Sequence, residues 1–122
     1  MNHRKTGRIL SRTRNQRRAL LKTLFGSLIL HEHIETTEAK AKEVKLHIDQ
    51  LVNKAKLAQS DETRKISMIR DLRKRLPLVA VKKLSSPDFV SRFSMRESGY
   101  TRVVKLQARK GDGARMAIIE FV

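Results

Sequence analysis

The chain has 122 residues, 39% hydrophobic and 33% charged, and its 28 Lys and Arg against 12 Asp and Glu give a net charge of +16. That length carries one domain with one modest core, and so large a charge repels itself in a compact fold unless nucleic acid, an anionic membrane surface or an acidic protein screens it. The absence of cysteine excludes disulfide scaffolds and thiolate metal sites, and apolar runs such as Leu28-Ile29-Leu30 are too short to span a bilayer.

The first 31 residues carry Arg4, Lys5, Arg8, Arg12, Arg14, Arg17, Arg18 and Lys22 and no acid before Glu32. Such a stretch suits a polyanion, because each cation that neutralises a phosphate releases condensed counterions. Residues 1–12 lack a sustained apolar period and read as an extended basic arm ahead of a body at 13–122. An organellar transit peptide is also acid-poor and Arg-rich, but here the basic residues continue through the whole chain.

Thr13-Arg14-Asn15-Gln16 fits a capping box and opens a helix. Leu20, Leu21, Leu24, Phe25, Leu28 and Ile29 then form one broad apolar face. Arg14, Arg17 and Arg18 fall on that same side ahead of it. Buried unpaired charge is costly, so this turn projects past the core to meet solvent or phosphate, or else the acids of a later helix in surface ion pairs. Ala19, Thr23, Gly26 and Ser27 make the opposite face small enough for another helix or an RNA backbone to approach.

His33-Ile34-Glu35-Thr36-Thr37 alternates and predicts a short strand. A helix over residues 38–58 follows, with Ala41, Val44, Ile48, Leu51, Val52 and Ala55 inward and its lysines answered by Glu38, Glu43 and Asp49 on an ordinary solvated face. Ser60-Asp61-Glu62 starts a third helix with Ile66, Ile69, Leu72 and Leu76 inward and Arg64, Lys65, Arg70, Arg73, Lys74 and Arg75 as a second basic surface. Pro77 ends it and serves as first residue of a short helix through Leu84. Ser86-Pro87-Asp88 repeats the start signal, with Phe89, Val90 and Phe93 as anchors. Residues 101–109 and 115–122 are strand-like, joined by the glycine-containing turn Lys110-Gly111-Asp112-Gly113-Ala114. The expectation is an α+β fold: a single two-layer domain, three to four helices packed on a small three-stranded mixed sheet made of the N-terminal strand and the C-terminal hairpin.

Catalysis finds little support. His3, His31, His33 and His47 have no acids or further histidines at ligand spacing, no paired acids stand on a common scaffold, and no phosphate-binding glycine motif occurs. No metal, cofactor or small-molecule substrate is implied. The cations instead form three clusters: the arm with the first helix, the third helix, and Arg96, Arg102, Lys105, Arg109, Lys110 and Arg115. With few aromatics, backbone and shape contacts should outweigh stacking. Tyr100 is the one stacking candidate, its alternative being a core tyrosine with a satisfied hydroxyl.

Several segments together resemble the bacterial large-subunit ribosomal protein seventeen family. They are His3-Arg4-Lys5 with Arg8, Leu10 and Arg12; Arg17 with Ala19-Leu20-Leu21; and Ile34-Glu35-Thr36-Thr37 followed by Ala39-Lys40-Ala41-Lys42-Glu43. Gly99-Tyr100-Thr101-Arg102 and Arg109-Lys110-Gly111-Asp112 with Met116-Ala117-Ile118-Ile119-Glu120 extend the likeness, in order, over essentially the whole chain. Asn2, Arg14-Asn15-Gln16 and Ser98 depart from the family pattern. A likeness that begins at Met1 also argues against a removable leader.

The resemblance implies a non-catalytic constituent of the cytoplasmic ribosome that binds 23S rRNA on the solvent side of the large subunit, among neighbouring proteins near the polypeptide exit region. On charge placement, the arm contributes His3, Arg4, Lys5, Arg8 and Arg12 and is ordered by RNA. Arg14, Arg17, Arg18 and Lys22 clamp phosphates from the first helix, and Arg96, Tyr100, Arg102, Arg109 and Lys110 form a second contact region at the sheet edge. Competing classes are a nucleoid-type or RNA-chaperone protein without a fixed site, a ribonuclease dependent on His31, His33 or His47, and, weakest, a membrane-surface binder.

Overall fold

Helix α1 (Arg14–His31) begins where the capping box placed it: Gln16 N–H donates to Thr13 Oγ1 at 3.5 Å and Thr13 N–H to Gln16 Oε1 at 3.3 Å. The computed structural model describes residues 3–122, so Asn2 of the expected arm lies outside the described residues. Phe25, Leu28 and Ile29 are buried. At roughly 1.5–3 kcal/mol each, these three anchor a helix whose opening turns carry only cations. On the small face, Gly26 lies against Pro77 so closely that a Cβ would stand 2.7 Å from the ring Cγ. The close neighbour of that face is therefore the junction before α4.

Glu32 ends α1 in a left-handed conformation, φ 65°, which costs a side-chain-bearing residue about 1–2 kcal/mol. The position is held from several sides. Its N–H donates to the Leu28 carbonyl at 2.7 Å, its own carbonyl accepts from Phe121 N–H at 3.1 Å, and its carboxylate pairs with Arg92 at 2.8 Å and Lys83 at 3.4 Å.

Strand β1 (His33–Thr37) runs directly into α2 (Glu38–Ser60). Ala41, Val44, Ile48, Leu51, Val52 and Ala55 of α2 are all buried. Asp61 both ends α2 and caps α3 (Glu62–Arg75), its Oδ1 accepting from Thr63 N–H at 3.0 Å. Leu72 and Leu76 are buried and Ile69 is half-buried, but Ile66, expected inward, is 67% exposed. Residues 62–67 of α3 are all exposed, so its apolar spacing continues there outside the core.

Helix α4 (Leu78–Leu84) has Pro77 as its N-cap, so it starts one residue later than expected, with the proline just outside it instead of at its first position. Helix α5 (Pro87–Ser91) has Pro87 in its first turn and Ser86 Oγ accepting from Phe89 N–H. Among the described residues the helices number five where three to four were expected. Strands β2 (Thr101–Lys105) and β3 (Met116–Phe121) complete a sheet of order β1-β3-β2. Both pairings are antiparallel, with His33 opposite Glu120 and Thr101 opposite Phe121. The sheet is thus antiparallel throughout, not mixed, because the crossover from β1 to β3 returns the chain head to tail. The strands are also shorter than the apolar pattern, although Leu106 N–H to Met116 O and Arg109 N–H to Ala114 O carry the hairpin beyond them.

Ala117, Ile119 and Phe121 alternate inward, as a one-sided antiparallel sheet requires. Phe121 joins Phe89, Phe93 and Tyr100 in a chain of edge and tilted ring contacts at 5.3–5.4 Å. α2, the sheet and this aromatic cluster form one core, and the cations ride on its perimeter.

Candidate nucleic-acid interface

Residues 3–9 of the arm are exposed, yet the segment is fastened to the body. Arg8 donates from its backbone N–H (3.2 Å) and its guanidinium (3.4 Å) to Oε2 of Glu43, while His47 Nε2 meets Oε1 at 3.2 Å. Glu43 is only 3% exposed. At Gly7 the left-handed φ of +92° favours glycine, and a Cβ there would crowd Glu43 Oε1 at 3.1 Å. Glu43, expected on a solvated face, is instead the residue that tethers the arm. It falls off the apolar stripe of α2 at helical spacing, and the arm is what covers it. Arg12 turns inward on the arm itself, donating to the Leu10 carbonyl at 2.8 Å.

Arg14, Arg18 and Lys22 are exposed and Arg17 is half-buried. None of the four forms an ion pair among the described residues, so the surface bridges to a later helix do not occur. On α3, Arg64 reaches Asp61 at 3.7 Å and Asp71 takes Lys54 of α2 at 3.9 Å, which leaves Lys65, Arg70, Arg73 and Lys74 without a carboxylate among the described residues.

The C-terminal cluster is more self-satisfied than its charge suggested. Arg102 bonds Glu120, its cross-strand neighbour, at 2.6 Å. Arg109 forks onto Asp112 at 2.9 and 2.5 Å, and this bond holds the aspartate well below the usual carboxylate range while raising the guanidinium. Lys105 lies 3.7 Å from Glu38. Exposed pairs of this kind are screened by water and contribute little, so a phosphate can exchange for the carboxylate. Lys110 and Arg115 stay exposed with no ion pair among the described residues.

Tyr100 is corrected outright. It is 0% exposed, so no base can reach its ring. Its hydroxyl lies within bonding distance of Asn53 Oδ1 (2.5 Å) and the Arg96 carbonyl (3.0 Å) and accepts from Lys56 Nζ at 3.1 Å. The Arg96 guanidinium donates to Gly99 O at 3.4 Å, and Asp49 receives the N–H groups of Gly99 and Tyr100. Arg96 and Tyr100 therefore close the loop before β2.

The fold brings the arm and the hairpin together. Arg8, Lys42 and Arg115 line one hollow of about 350 Å³, and Arg8, Lys42 and Lys45 line the next. Lys42 and Lys45 were not singled out from the sequence, and only the return of the arm to α2 marks them. Among the described residues no three His, Asp or Glu side chains are grouped to hold a metal, and no helix is long and apolar enough to cross a membrane.

A helical layer on a small antiparallel sheet, with many exposed cations around an apolar core, defines a small, strongly basic α+β protein. Comparison with known proteins gives the family. Residues 20–122 match the family described as Ribosomal protein L17. The chain is 43% identical to the large ribosomal subunit protein bL17 of Chlorobium chlorochromatii, covering 97% of this chain and 73% of that one. It is 42% identical to that of Shouchella clausii (93% and 96%) and 38% identical to that of Listeria innocua (94% and 98%). The chain belongs to the ribosomal protein L17 family, whose members are structural components of the ribosome and not enzymes.

Proposed function

We propose that this protein is a structural constituent of the large subunit of the cytoplasmic ribosome that binds 23S rRNA through phosphate and shape contacts and supports subunit assembly. The observation that carries this reading is the set Arg14, Arg17, Arg18 and Lys22, without ion pairs among the described residues, on a helix held rigidly by its buried end. Rigid placement lowers the conformational cost of binding. The arm (His3, Arg4, Lys5, Arg8 and Arg12) and the hairpin cations (Arg102, Arg109, Lys110 and Arg115) extend the surface to RNA segments on other sides. Neighbouring large-subunit proteins near the exit region are its protein partners.

Sedimentation of a cell lysate on sucrose gradients at low and then high salt tests the reading. Co-migration with the large subunit that survives high salt is the expected result. Release into light fractions at moderate salt would mean loose counterion-driven binding and favour a nucleic-acid chaperone.

A further inference from the structure

Helices α1, α2 and α3 enclose a cavity of about 450 Å³, lined by Arg18 and Lys22 from α1, His47 from α2, and Lys74 and Arg75 from α3, with Phe25 beside them. No acid lines it. Arg75 is the unusual member. It is half-buried, its guanidinium sits 5.9 Å from the Phe25 ring centroid, and its polar partner is Gln50 Oε1 at the long distance of 3.5 Å. No carboxylate pairs with it among the described residues. Burial pushes its pKa below the usual guanidinium value, and a half-buried cation without a counter-charge is costly. His47 is fixed edge-on to Phe25 at 6.3 Å and through Nε2 to Glu43 at 3.2 Å. The cavity thus combines a cationic rim with an aromatic and apolar wall, at a volume within the roughly 300–1,000 Å³ of small-ligand sites.

We propose that this cavity receives one unpaired nucleotide of the RNA, its phosphate held by Arg75 with Arg18, Lys22 and Lys74 and its base against Leu21, Phe25 and His47. The inference rests on the rRNA-binding reading and deepens it. A duplex could offer phosphates to the rim but could not insert a base among three helices, so the site selects a bulged or looped nucleotide, the usual target of sequence-sensitive RNA contacts. Arg75 gains the anion its burial calls for, and its planar fork matches phosphate geometry better than a lysine would.

The test is chemical footprinting of 23S rRNA at nucleotide resolution by the full chain. The samples are wild type, Lys22→Gln with Arg75→Gln, Lys22→Gln alone, Arg75→Lys, and a surface control, Lys65→Gln with Arg73→Gln. Thermal melts establish that each is folded, and Lys22→Gln changes only an exposed residue. The expected result is one unpaired nucleotide protected by wild type and reactive again in the double cavity variant. Its other protections persist, at protein concentrations on the order of tenfold higher. Arg75→Lys loses the same nucleotide while keeping the salt dependence of binding. Lys22→Gln lowers the slope of log affinity against log salt by about 0.7–0.9 and weakens that nucleotide first, whereas the surface control weakens all protections evenly. A wild-type footprint that is indifferent to the cavity variants, or weakened evenly by them, overturns this inference and leaves the rRNA reading standing. No wild-type footprint at all overturns both.

Discussion

Gly26→Ala sets two known effects against each other. Alanine in a helix interior gains about 0.8–1.0 kcal/mol over glycine, and position 26 lies well inside α1. The added Cβ, however, would stand 2.7 Å from Cγ and 2.9 Å from Cδ of Pro77. A pyrrolidine ring cannot swing aside, and its neighbours Leu76 and Ala80 are buried, so α1 and the α3–α4 junction must separate. Overpacking of this kind costs about 1–3 kcal/mol. The net is a loss of about 1 kcal/mol, which for a domain of this size lowers Tm by roughly 3–5 °C. Thermal and urea unfolding would measure it, within a cycle that includes Pro77→Ala. Without the ring, the same Gly26→Ala change should become stabilising, giving a coupling of 1 kcal/mol or more between the two sites. A rise in Tm for Gly26→Ala alone, or a cycle without coupling, would refute the reasoning.

Tyr100→Phe keeps the buried ring and removes a hydroxyl with three neighbours, so denaturant titration should find a loss of about 1 kcal/mol with rRNA affinity of the folded protein unchanged; a drop in affinity without a loss of stability would mean that the hydroxyl contacts RNA directly. Glu43→Ala removes the tether of the arm, and tryptic cleavage after Arg8 should accelerate while the circular dichroism spectrum of the body is preserved. Equal cleavage rates would show that the tether does not restrain the arm. The Glu32 carboxyl is held below its ordinary value of 4.5, first by the hydrogen bond from Arg92. A depressed folded value stabilises the fold above the ordinary pKa, and that contribution disappears as pH falls through the folded one. Glu32→Gln should therefore be less stable than wild type near neutrality and converge with it as pH falls below the ordinary 4.5 and through the depressed folded value, as melts across pH would report; a constant gap would contradict the linkage.

What was legible in the sequence is what short-range chemistry decides. Thr13 with Gln16, Asp61, Ser86 with Pro87, and Pro77 each fix a helix end through partners within a few residues, and β1 alternates over its first four positions. The order of the strands was not legible, because β1 and β2 look alike until β3 is seen to pair with both. Ile66 has the right spacing for a core residue, but spacing cannot tell whether another element lies opposite. The same limit applies to function. The unpaired cations of α1 could be read from an acid-free run, whereas pairing Arg102 with Glu120 needed the register of two strands. Tyr100 was ambiguous because the groups that bind its hydroxyl, Asn53 and Lys56, sit on a helix more than forty residues away. Glu43 looked like a surface acid among lysines, and only the arm folding back across α2 buries it.

The central strand of the sheet is also the last of its three strands to be synthesised. Neither β1 nor β2 has any strand partner until β3 arrives, and the β1–β3 ladder joins residues as far apart as His33 and Glu120. Such distant closure is slow relative to local helix pairing. During synthesis α1 to α5 therefore exist for a time with the sheet-facing side of Val44, Ile48 and Leu51 uncovered. That half-built state is exposed to aggregation, and the strong positive charge already present on α1 to α3 opposes it, because like-charged chains hold one another apart. The cations that would meet RNA in the finished protein thus protect the nascent one before there is a sheet.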